Sequence, residues 1–289
     1  MAISKSSLLA NSSRFVTLAV NRFEQDELGG IFYHESIGYG IPFESLMEAV
    51  VQMELLYDRI GYPVRSMENR RFLEDQETSM ACGDIWADQE CGEEPPHGAL
   101  ATLRICVHHR YNATWQGYAI WEEKNQLLPF ESFLELTKLL NRMLGDGEPA
   151  DGQETETMCS VSVDEYKRRR MEGRIAYPSS AHDASFGSIL QLVNQMERLE
   201  AGGGDAPRED RTPVQFCGCY RRKGRLATFV IRLLFRENAT WQGVVYWRET
   251  RSRQNFRSFL ELTCLMDTAV RDAAGWESQT DKTRQIADI

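Results

Sequence analysis

A glycine followed thirteen residues later by a phenylalanine occurs four times in this 289-residue chain: Gly30 with Phe43, Gly117 with Phe130, Gly173 with Phe186, and Gly243 with Phe256. Two of these pairs sit in nearly identical text. Arg110-Tyr-Asn-Ala-Thr-Trp-Gln-Gly117 leads to Phe130-Glu-Ser-Phe-Leu-Glu-Leu136, and Arg236-Glu-Asn-Ala-Thr-Trp-Gln-Gly243 leads to Phe256-Arg-Ser-Phe-Leu-Glu-Leu262. An internal period constrains a fold more tightly than composition does, because one supersecondary unit must then be built several times over.

Each copy reads as strands and then a helix. Thr102–His108 and Thr228–Phe235 have strand character, with Leu103, Ile105, Val107 and Phe229, Ile231, Leu233 on one face. Asn112-Ala-Thr114 and Asn238-Ala-Thr240 read as hairpin turns, because asparagine tolerates left-handed backbone. A second strand runs from Trp115 to Trp121 and from Trp241 to Trp247, and a shorter segment ends at the phenylalanine. A helix start is then written four times, as Ser45 with Glu48, Ser132 with Glu135, Ser188 with Gln191 and Ser258 with Glu261, each a capping box. The helices carry apolar stripes, Phe133, Leu136, Leu140, Met143 and Phe259, Leu262, Met266, Ala269.

The expected fold is therefore α+β: four tandem ββ(β)α repeats in the order A-B-A-B, forming two pseudo-equivalent halves whose small antiparallel sheets are covered by helices. The first half spans 15–144, with units 15–60 and 101–144 and connector 61–100. The second spans 158–272, with units 158–200 and 227–272 and connector 201–226. The polar stretch 145–157 joins them, between tails 1–14 and 273–289. Either neighbouring A and B units form each domain, or A packs on A and B on B.

No apolar run is long enough for a membrane span or a secretory leader, so a cytoplasmic protein without membrane association is expected. Seven cysteines do not read as a disulfide framework, which agrees. Cys106 and Cys264 fall within element patterns and read as core thiols. Cys82, Cys91, Cys217 and Cys219 would close a zinc tetrahedron, but their spacings of eight and one intervening residues are not those of zinc sites. Unpaired loop thiols are the preferred reading, and no metal or cofactor is assigned.

The net charge of −10 is uneven: residues 1–150 hold 12 Lys and Arg against 23 Asp and Glu. From Arg221 to Arg257 the balance reverses, with only Glu237 and Glu249 against a run of arginines. An acidic whole argues against non-specific nucleic-acid binding, while the basic segment suits an acidic partner, a second copy of the chain, or a phosphate-bearing small ligand.

Candidate binding residues come from what the B units carry beyond a framework. Trp115, Gly117 and Trp121 share a strand face, as do Trp241, Gly243 and Trp247. Two indoles flanking a glycine describe a slot, either for a flat ligand or for the backbone of a packed helix. Arg110 and Asn112, with Arg236 and Asn238, lie beside it at the hairpin tips, where arginine over indole is a cation–π pair. Arg221 and Arg225 complete the set.

Two partial resemblances bear on function. The strand-strand-strand-helix order resembles the unit of HicB-type antitoxins in topology, which implies a dimerising, partner-masking scaffold. Arg221-Arg-Lys-Gly-Arg225 followed by Asn238-Ala-Thr-Trp-Gln-Gly243 is similar to the paired motifs of PilZ domains, which implies binding of cyclic di-GMP; Thr240 stands where that family has serine, and the gap is shorter. Catalysis is not indicated, because the sequence holds no phosphate-binding glycine loop, metal-ligand helix or nucleophile elbow. The expectation is a non-catalytic regulatory or adaptor protein that recognises a protein partner or itself through sheet surfaces. The alternative is a nucleotide sensor, with cyclic dinucleotides included, that uses the tryptophan slot and the basic segment.

Overall fold

A computed structural model describes residues 15–68, 70–72, 94–145, 157–178, 183–197, 199 and 222–275. The elements in order are β1 (Val16–Glu24), β2 (Glu27–Tyr33), β3 (Gly40–Phe43), α1 (Leu46–Ile60), β4 (Ala101–His109), β5 (Gln116–Trp121), β6 (Gln126–Phe130) and α2 (Phe133–Leu144). They continue as β7 (Met158–Lys167), β8 (Arg170–Ala176), β9 (Ala184–Phe186), α3 (Ile189–Met196), β10 (Ala227–Phe235), β11 (Gln242–Trp247), β12 (Ser252–Phe256) and α4 (Phe259–Ala273). The chain is α+β, with two six-stranded sheets in the orders β3-β2-β1-β4-β5-β6 and β12-β11-β10-β7-β8-β9. Every pairing is antiparallel.

Alternation puts Val16, Leu18, Leu103, Ile105, Val161, Val163, Phe229 and Ile231 on the inner faces, where they join residues of all four helices in one core. The helices pack between the sheets: α1 touches β2 and β3 of the first and β8 of the second, and α2 packs on α3 and α4. This exceeds the single stripe expected from the sequence. Every residue of α4 from Phe259 to Val270 is buried, and a helix buried all round has protein on all sides.

Ser45, Ser132, Ser188 and Ser258 are the N-caps of α1 to α4, each accepting from the amide three residues on. The reciprocal bond differs slightly from the expected box. Glu48, Glu135, Gln191 and Glu261 accept from the residue before the serine, Glu44, Glu131, Gly187 and Arg257.

The four glycines have one geometric cause. A Cβ would lie 2.0 Å from the Ala19 carbonyl oxygen at Gly30, 2.0 Å from that of Cys106 at Gly117, 1.9 Å from that of Ser162 at Gly173 and 2.0 Å from that of Arg232 at Gly243. Each carbonyl lies on the opposite strand just before a register slip, at Val20/Arg22, Val107/His109, Val163/Glu165 and Leu233/Phe235. The glycine lets a bulged backbone approach, so it serves neither a ligand slot nor helix clearance. Gly243→Ala is expected to cost about 1–3 kcal/mol in urea denaturation, since a backbone atom must move. Gly61→Ala, at φ 68° with nothing within 4 Å, meets only left-handed strain, about 1 kcal/mol.

Candidate functional site

The two sheets meet where the β4–β5 and β10–β11 hairpins face each other. Asn112 and Ala113 have φ of 54° and 55°, Asn238 and Ala239 have 53° and 54°, and Thr114 and Thr240 bond back to Tyr111 and Glu237, so both tips are type I′ turns. Each turn serves a helix of the other half. Ser258 Oγ donates to the Ala113 carbonyl at 2.5 Å, and Ser132 Oγ to that of Ala239 at 2.6 Å. Ser45 Oγ likewise reaches Arg168 O at 2.6 Å. Thus strand pairing joins neighbouring segments within a sheet, while the caps of α1, α2 and α4 reach hairpin turns of the other sheet.

The rest of the Asn-Ala-Thr-Trp-Gln-Gly motif is also occupied. Thr114 Oγ1 accepts from the Phe133 amide at 2.9 Å and Thr240 Oγ1 from the Phe259 amide at 3.0 Å. Phe133 and Phe259 stack at 6.1 Å, with Trp115 and Trp241 each edge-on to its own phenylalanine at 5.3 Å. This aromatic ladder of four rings spans the junction, and Trp115 and Trp241 are each 1 % exposed. Trp247 packs on Phe72 and Phe229, and Trp121 is covered by Lys124. The space between the indoles is therefore core rather than an open slot.

Arg110 is also inside. Its guanidinium, 3 % exposed, donates to Glu54 Oε2 at 2.5 Å, to Asp58 Oδ1 at 2.7 Å and to the Pro63 carbonyl, and it lies over Tyr57 rather than over an indole. Burial draws its pKa down, but the Glu54 and Asp58 charges outweigh this and hold it above the usual value. The Trp115 indole donates to the other oxygen of Glu54 at 2.5 Å. Glu54 was missed from sequence, and its signal is a carboxylate inside the apolar run of α1. Asp267 in α4 is the matching case, accepting from Tyr166 at 2.7 Å and from Arg169.

Arg236 does lie over its tryptophan, 5.7 Å from the Trp241 ring, and donates to the Glu197 and Leu199 carbonyls. Arg225 is at the other end of β10, beside Asp164 and Glu165. A nine-residue strand puts it roughly 25 Å from Asn238, so the PilZ-like pair is not brought together. Arg221 and the four connector cysteines lie outside the described residues. Among the described residues no cluster suits a metal ion, and no helix is long and apolar enough to cross a membrane. Cys106, Cys159 and Cys264 are buried, and burial followed by the Glu54 and Asp267 charges pushes the Cys264 thiol up.

What the junction leaves open is a cleft of about 330 Å³. Asn112 and Asn238 reach it from opposite halves, with Gln242, Asn255, Arg253 and Arg257 around an apolar wall that includes Leu234, Phe235 and Val244. Arg257 is engaged by Glu261 and the Glu68 carbonyl. Asn112, Asn238, Asn255 and Arg253 make no side-chain bond among the described residues. Two residues expected from the sequence, Asn112 and Asn238, thus share one surface recess, while Arg110 and the tryptophans belong to the interior beneath.

A second electrostatic feature lies at the head of α1. Glu27 Oε1 accepts from the amides of Leu46 and Leu28 at 2.8 and 3.1 Å, the role that Thr114 and Thr240 play for α2 and α4. Burial pushes its carboxyl up to about 7, against those amides and the charges of Arg170 and Arg22. The folded state therefore holds the proton more tightly than the unfolded chain. This stabilisation is present below about pH 4.5 and is lost as the pH rises to about 7. Thermal melts should show Glu27→Gln flattening that decline relative to the parent chain.

Comparison of the chain with models of known protein families, with characterised proteins and with solved structures finds no match.

Proposed function

We propose that the chain is a non-catalytic regulatory or adaptor protein, built from four copies of one ββ(β)α block, which recognises a protein partner or a second copy of itself through its sheet surfaces. With the helices held inside, the outer sheet faces and edges form its recognition surface. One observation carries the reading: on the outer face of the first sheet a buried apolar cluster of Phe15, Cys106, Tyr118 and Ile120, separate from the main core, reaches the surface at its edge. Leu127, paired with Ile120, is 47 % exposed beside it. The cluster itself is covered, so what it offers a partner is its exposed apolar rim at Leu127.

Sedimentation velocity across a concentration series, with the parent chain and Leu127→Glu, tests the self-recognition form. The parent should associate and the variant should sediment as a monomer. Crosslinking from an azide-bearing residue at 127 tests the partner form. A chain that is monomeric throughout and forms no crosslink in its native extract overturns the proposal.

The cleft favours a second reading, a small phosphate-bearing ligand such as a nucleotide, because Asn112, Asn238, Asn255 and Arg253 converge there unengaged. Its volume lies at the lower end of the range for small-molecule sites. Calorimetry with a nucleotide panel, cyclic dinucleotides included, against the parent and Arg253→Ala tests it, and an absence of heat with every nucleotide removes it.

A further inference from the structure

An open sheet must protect its edges, and three of the four edge strands here are protected in their own sequence. β3 contains Pro42 and β6 contains Pro129, and a proline in an edge strand removes a donor that would face outward. β9 has only three residues, Ala184–Phe186. β12 differs: it has five residues, Ser252–Phe256, with no proline, and its outward backbone groups bond no described residue. Along the outer face of β12, Arg253 lies opposite Tyr246 and Asn255 opposite Val244, and the exposed Arg251 sits in the turn that leads into the strand, at φ 57°. The side chains of Arg251 and Arg253 have no acidic partner among the described residues. The cleft opens beside the far end of the same strand, with Phe235, Leu234 and Val244 in its wall.

From this geometry we infer that β12 is the docking edge for an extended acidic peptide segment, which adds to the second sheet as a seventh strand. One Asp or Glu side chain faces Arg253 on the strand, another meets Arg251 at the turn beside it, and one apolar side chain enters the cleft. The main-chain ladder supplies affinity, and the two arginines set the preference for an acidic segment. The inference rests on the proposed partner-recognition function and names the chemistry of the partner and the edge it uses. The free carboxamides of Asn112, Asn238 and Asn255 rim the cleft, where they bond the backbone of the segment as it leaves the strand.

The test uses the full chain and a short fluorescent peptide of alternating Glu and Val followed by Leu, read by anisotropy. Two matched peptides accompany it, one with Lys in place of Glu and one N-methylated at alternate backbone amides. The acidic peptide should bind, with the affinity falling as salt rises. The Lys and N-methylated forms, and the parent peptide against Arg253→Glu, should each bind weaker by about tenfold or more. Hydrogen exchange should show the amides of Ser252–Phe256 gaining protection on binding. Arg253 is exposed, so the variant should melt with the parent chain. Equal binding of the N-methylated peptide would show simple charge attraction and overturn strand addition. Displacement by a mononucleotide, without protection of β12, would assign the cleft to a small ligand and overturn it too. If the acidic peptide fails to bind while Leu127→Glu still abolishes self-association or crosslinking, the β12 assignment falls and the broader function stands.

Discussion

Glu54→Ala is expected to destabilise the chain by about 3–5 kcal/mol, the cost of leaving a buried charge without its partner. Glu54 bonds the Arg110 guanidinium through one oxygen and the Trp115 indole through the other, and Arg65 approaches it at 3.5 Å. The Arg110 side chain is 3 % exposed and that of Glu54 5 %. Removing the carboxylate takes the closest partner from the guanidinium and the partner from the indole N–H together, leaving the partly exposed Asp58 and the Pro63 carbonyl to compensate. The double variant Glu54→Leu with Arg110→Met removes both charges and should recover most of the loss, because an apolar pair of similar volume often replaces a buried ion pair without penalty. Urea denaturation of the parent, Glu54→Leu, Arg110→Met and the double variant gives the cycle. A loss from Glu54→Ala below about 1 kcal/mol, the range of surface pairs, would mean that water reaches the group.

The framework was legible in the sequence wherever a local rule operates alone. A serine with Glu or Gln three residues on locates a helix head because its partners lie within one turn, and the heads of α1 to α4 are where Ser45, Ser132, Ser188 and Ser258 place them. The turns at Asn112 and Asn238 follow from left-handed tolerance in the same way. Long-range partners were not legible. That Ser258 reaches the Ala113 carbonyl, or that Glu54 holds Trp115, depends on how two sheets face each other, and no spacing along the chain records it. The slot stayed open between a flat ligand and a packed helix for a related reason. Alternation on β5 and β11 correctly puts two tryptophans and a glycine on one face, but it does not say that the face turns inward onto Phe133 and Phe259. The glycine, taken as clearance, answers a bulged carbonyl on the opposite strand. Asn112 and Asn238, named for their place at the hairpin tips, line the cleft.

Trp241→Ala and Trp115→Ala should each cost about 3–5 kcal/mol, the range for removing a large aromatic side chain from a core. Each indole is the outer rung of the ladder through Phe133 and Phe259, the only stacked pair of described rings that joins α2 to α4. Losing one rung leaves a void on an inner sheet face and loosens the opposing half as well, so the two losses should not add. Arg253→Ala, at an exposed position on β12, should leave stability within about 0.5 kcal/mol of the parent chain. The two kinds of variant therefore separate framework from recognition. Tryptophan variants should lower the melting temperature, with any binding defect tracking the unfolded fraction, while Arg253→Ala should weaken acidic-peptide binding in a protein that melts normally. A Trp241→Ala chain that melts with the parent and has lost only a ligand would reverse that division and return the indoles to the binding surface. The same result would require the Phe133–Phe259 stack to be held by the helix caps alone.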